Sequence, residues 1–124
     1  MAERAKILYA EAEENNLDYK AQNERWERWF KCSLCKQDYH GVVYCALGWA
    51  CWKTYLGRPE TEWSRSASMN LLANGLSAAE HDAEALSVQE AELSMLRRLG
   101  AVEERVLSSE SNLATMYANI GRLE

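Results

Sequence analysis

Leu71-Leu72-Ala73-Asn74-Gly75-Leu76 is echoed about 41 positions later by Asn112-Leu113-Ala114-Thr115-Met116-Tyr117. Self-similarity at such a period is the mark of a helical solenoid and limits the fold before anything else. In each copy a Leu is followed directly by Ala, with a large residue four places after the Leu. Small residues let two helices approach, and larger ones fill the gap on the same face. Asn70 to Gly100 reads as two antiparallel helices with a turn at Glu80-His81. Ala85-Leu86 sets a small residue against the first helix, Leu93, Leu96 and Leu99 continue the apolar face, and Gly100 is a stop in the left-handed conformation.

The sequences HDAEALSVQEAELSMLRRLG and NLATMYANIGRLE together resemble tetratricopeptide (TPR) repeats, and the period resembles the longer repeats of kinesin light chains. The first copy departs at Glu80-His81, where Gly-Arg or Gly-Tyr is usual. The resemblance covers roughly residues 62 to 124. It implies an all-α, helix-turn-helix solenoid whose first helices line a concave, peptide-binding groove. Asn74, Asn112 and Asn119 match groove-lining positions, where Asn amides hydrogen-bond the backbone of an extended peptide. A plain helical bundle is the competing reading.

One domain of 124 residues is expected, in three parts: N-terminal helices over 1–30, a Cys/His/Trp-rich segment and helix over 31–58, and one and a half repeats over 62–124. The longest apolar run, near Val42 to Ala50, is too short for a membrane span, and the charged N-terminus does not read as a signal peptide. A reducing, cytoplasmic setting is expected, where cysteines serve as thiols or metal ligands. The net charge of −5 argues against broad phosphate binding, although residues 20–58 hold seven Lys/Arg against three Asp/Glu. No phosphate loop, nucleophile elbow or HExxH is present, so no enzymatic activity is expected. His81 reads as a solvated turn residue, and Glu80, Asp82, Glu84, Glu90 and Glu92 as a solvated helix face.

Ala5, Leu8 and Ala12 space as a helix face ended by Asn15-Asn16. A second helix is expected over Leu17 to Phe30, with Tyr19, Trp26, Trp29 and Phe30 as a core stripe. Val42 to Leu56 reads as a third, stopped by Gly57 and Pro59. All five tryptophans lie between Trp26 and Trp63, which suggests a cap over the outer face of the first repeat.

Cys32, Cys35, His40 and Cys45 have the C-x2-C-x4-H-x4-C spacing of a zinc knuckle, with Cys51 as an alternative ligand. One structural Zn²⁺ is one reading, since two such cysteines wrap one ion and two later ligands close a tetrahedron. Lys36 and Tyr39 stand where knuckles carry glycines. Reduced thiols in an aromatic core are the second reading, and a thiol redox or metal-sensing pair the third. A single-stranded nucleic-acid binder using Lys31, Lys36, Tyr39 and Tyr44 is the alternative function. The last helix is expected to end at Gly121, with Arg122-Leu123-Glu124 opening the next one. That leaves an apolar face uncovered, so a truncated product, a fragment, or self-association through the last helix is expected. The function expected is protein–protein interaction, the partner a protein or peptide.

Overall fold

The structure, a computed structural model, describes residues 1–123, with side chains through Gly121. Six α-helices follow one another: α1 (Ala2–Glu14), α2 (Tyr19–Trp26), α3 (Gly41–Tyr55), α4 (Trp63–Ala78), α5 (Asp82–Arg98) and α6 (Glu103–Leu123). A 3₁₀ turn, Glu27–Trp29, extends α2. The fold is all-α. Extended backbone pairs among the described residues only at one antiparallel bridge, Lys31 with Asp38. No helix of the described residues is long and apolar enough to cross a membrane.

Three helices stop by one device. The second residue past the helix enters the left-handed region: Asn16 at φ 50°, Glu80 at 65° and Gly100 at 66°. Its amide donates to the carbonyl three residues back, and the next amide to the carbonyl five back. The pairs are Asn16→Glu13 with Leu17→Ala12, Glu80→Ser77 with His81→Leu76, and Gly100→Arg97 with Ala101→Leu96. Each stop thereby satisfies two carbonyls that the helix end would orphan. Glu80 does so against a conformational cost of roughly 1–2 kcal/mol that glycine avoids. The start of α2 is fixed by Asp18, whose Oδ1 accepts from the Ala21 amide at 2.8 Å. Two expected ends move. α6 runs through Gly121, because a lone glycine weakens a helix without terminating it. Arg122 and Leu123, expected to open a new helix, complete α6, and Glu124 lies outside the described residues.

Helices α3 to α6 stack in chain order, each antiparallel to the one before. The closest approach joins α3 to α4 through two glycines. A Cβ on Gly48 would stand 3.1 Å from Leu71 O and from Leu72 Cα, and one on Gly75 would stand 2.9 Å from Tyr44 O and 3.0 Å from Cys45 Cα. Backbone therefore meets backbone at both points. Two cores lie on either side of this crossing. One gathers Ala5, Tyr9, Trp26, Trp29, Cys51, Tyr55 and Leu71, and the other Cys45, Leu72, Ala73, Leu76, Ala85 and Met116.

In the first core the Trp26 ring lies 5.0 Å from Tyr9, 5.1 Å from Tyr55 and 4.9 Å from Trp63. The edge-on geometry of the Tyr9 and Trp63 pairs directs ring edges at ring faces, the favourable quadrupole arrangement. Trp26 and Trp29 are buried as the stripe predicts, but Tyr19 is 84 % exposed. It opens α2 at the rim of the core, where it lines a surface crevice with Tyr9 and Trp63. Arg58 ties α1 to the α3–α4 linker by donating to both Glu13 carboxylate oxygens, at 2.7 and 2.9 Å.

Gly75→Ala is expected to lower stability by about 1–3 kcal/mol, the usual cost of overpacking where the neighbour is backbone. Gly57→Ala, which meets nothing within 4 Å, changes it by less than about 1 kcal/mol. Urea titration followed by tryptophan fluorescence measures both.

Candidate functional site

One side of α4 carries a groove in two joined parts. The first, about 270 Å³, is walled by Trp26, Phe30, Tyr44, Trp63 and Leu71, with Asn70 and Asn74 at its polar edge. The second, about 150 Å³, lies between α4 and α6 and is lined by Ser66, Asn70, Arg105, Ser108 and Asn112, with Glu92 at its base. Trp63, Ala67 and Asn70 belong to both parts, so the two make one surface. Asn112 Nδ2 donates to Asn70 Oδ1 at 2.7 Å, joining α4 to α6 at the midpoint. Asn74 sits by the Tyr44 hydroxyl. Burial raises that phenol above its ordinary pKa, Asp38 adds to the shift, and a hydrogen bond with Asn74 partly offsets it. Two of the three expected asparagines, Asn74 and Asn112, thus line the groove. Asn119, half-buried farther along α6, lines neither part.

Beneath the second part runs a buried polar chain. Ser66 Oγ on α4 donates to Glu92 Oε2 at 3.0 Å, and Gln89 Nε2 donates to Glu92 Oε1 at 2.7 Å and to Ser109 Oγ on α6 at 3.0 Å. Glu92 was expected on a solvated face and is instead 4 % exposed. Its helix turns the positions of Ala85, Gln89, Glu92, Leu93 and Leu96 inward, so one acidic residue of the run falls between α4 and α6. Burial raises its pKa, while hydrogen bonds from Ser109, Ser66 and Gln89 and the charge of Arg105 oppose the rise.

The cysteines separate. Cys32 and Cys35 lie on a short hairpin whose ladder is Cys32 N–H to Gln37 O (2.9 Å) and Tyr39 N–H to Phe30 O (2.8 Å). Lys36, where knuckles place glycine, takes φ 62° and donates its amide to Cys32 O at 3.0 Å. The Cys32 thiol is held below its ordinary pKa by the backbone amides of Cys35 and Leu34, then by the Cys35 side chain and the charge of Lys36. His40 is exposed at the start of α3. Cys45 packs in the α4–α5–α6 core and Cys51 in the aromatic one, where burial alone pushes the Cys51 thiol far up. The glycine crossing carries these two inside with α3. Among the described residues no three His, Cys, Asp or Glu side chains gather where a metal could be held. Of the set Cys32, Cys35, His40, Cys45 and the alternative Cys51, only Cys32 and Cys35 come together.

In comparisons with known proteins, no family model, curated protein or solved structure matches this chain. The groove accordingly rests on its own geometry. Sequence reading missed Trp63, Ser66, Asn70 and Glu92 in it. Only Asn70 left a trace, standing 42 positions before its partner Asn112, one step out of register with the echo.

At neutral pH two thiols, Cys32 and Cys35, are expected to react with an alkylating probe in the folded protein. Cys45 and Cys51 become reactive only on denaturation, and peptide mapping after labelling separates the pairs. The raised pKa of Glu92 means the folded chain holds that proton to higher pH than the unfolded chain does. Its contribution to stability is complete below the ordinary carboxylate pKa of about 4.3 and is lost as pH rises through the folded value. Glu92→Gln is therefore expected to be more stable than the parent near pH 7, with the difference shrinking toward pH 4 in denaturant titrations.

Proposed function

We propose that this chain is a non-catalytic helical-repeat module of the tetratricopeptide type, holding an extended segment of a partner protein along α4 and α6 in the cytoplasm. The observation that carries this reading is the continuous groove in which an aromatic hollow joins a row of amides, Asn74, Asn70 and Asn112. Such a surface suits one large apolar side chain in the hollow, with the peptide backbone hydrogen-bonded beside it. The 41-residue echo and the antiparallel succession of α3 to α6 support the repeat assignment.

Trp63 is the expected anchor. It is 44 % exposed, rests edge-on against Trp26 and borders both parts of the groove. Aromatic side chains that a partner covers in this way dominate binding energy at interfaces. Selection from a displayed library of linear peptides, followed by affinity measurement on the full chain, tests the reading. Peptides with an aromatic or long aliphatic residue are expected to be enriched. Trp63→Ala, and separately Asn70→Ala with Asn112→Ala, are each expected to weaken binding about tenfold or more, roughly 1.4 kcal/mol. Failure to select any peptide, or affinities indifferent to both variants, would overturn it.

A further inference from the structure

We propose that the Cys32–Cys35 hairpin is half of a tetrathiolate metal site that a second copy of this chain completes, so that one Zn²⁺ bridges two chains. The hairpin has the backbone that holds a thiolate-bound ion. Its ladder closes at Cys32 and Gln37, and Lys36 makes the left-handed turn that lets the chain double back after the second cysteine.

Tetrahedral zinc requires four donors, and this chain brings two. Cys45 and Cys51 are locked into separate cores, and no third candidate joins the hairpin among the described residues. The tip itself is free to meet another chain. Ser33 through Asp38 are all exposed, and Leu34, between the two ligands, is an apolar side chain 91 % exposed at the apex. Two copies meeting tip to tip would cover both Leu34 side chains. They would also set Lys31 and Lys36 of each copy near the site. Four thiolates on one Zn²⁺ carry a net charge of −2, and those lysines offset it. Symmetry favours the second copy over an unrelated partner, because a two-fold axis through the ion doubles each donor at once. Four thiol protons leave to solvent as the ion binds, with no change in oxidation state.

Light scattering coupled to size exclusion, with elemental analysis of each peak, tests this on the full chain purified without chelator and then supplied with Zn²⁺. The expected result is a particle of about twice the 14.2 kDa chain mass carrying about 0.5 zinc per chain. Chelator returns it to monomer. Cys35→Ser is expected to lose both metal and dimer, while His40→Ala, altering an exposed residue, keeps both. One zinc per monomeric chain, metal lost in His40→Ala, or a mass indifferent to zinc and chelator, monomer or dimer, would each overturn the proposal. Peptide binding is read separately, so the groove and the metal site fail independently.

Discussion

Two glycines set the geometry of this protein. Gly48 and Gly75 bring the backbones of α3 and α4 into direct contact, and no side chain larger than hydrogen fits either crossing without displacing main-chain atoms. With α3 held there, Cys51 and Tyr55 face the aromatic core while Cys45 faces the core shared with α5 and α6. The same contact brings Tyr44 alongside Asn74, completing one wall of the groove. The groove and the dispersal of the cysteines both descend from that single crossing.

Against this apolar contact stands the polar chain Ser66–Glu92–Gln89–Ser109, which joins α4, α5 and α6. Burial makes the Glu92 carboxylate costly to ionise even with its hydrogen bonds made, and Gln89 Oε1 beside it has no partner. Polar burial of this kind contributes little net stability. Its effect is to fix the spacing and register of α4 and α6, whose outward amides then meet as the Asn70–Asn112 pair. Surface ion pairs such as Arg97–Glu110, both largely exposed, add little.

Periodicity, composition and helix-stop chemistry made the helices legible. Asn15-Asn16, Gly100 and the α3 boundaries follow from local rules, because a left-handed residue and a proline act within a few positions of themselves. A turn at Glu80-His81 was expected, but that Glu80 itself takes the left-handed conformation, against its own propensity, is seen only in the structure. The candidate site was only partly legible. The repeat resemblance put Asn74 and Asn112 forward, whereas Trp63 and Asn70 come beside them where α2, α3, α4, α5 and α6 meet, which spacing does not encode.

Local sequence determined that the chain is helical and where most helices stop, since each depends on residues within a turn or two. Tertiary structure decided which acidic residue is buried and which cysteines are accessible. Glu84 and Glu92 are the same residue type on one helix, yet one is exposed and the other nearly closed off. Likewise Cys35 is open to solvent and Cys51 sealed. The difference is set by which face each helix turns toward its neighbours, a property of the assembled chain and of no single segment.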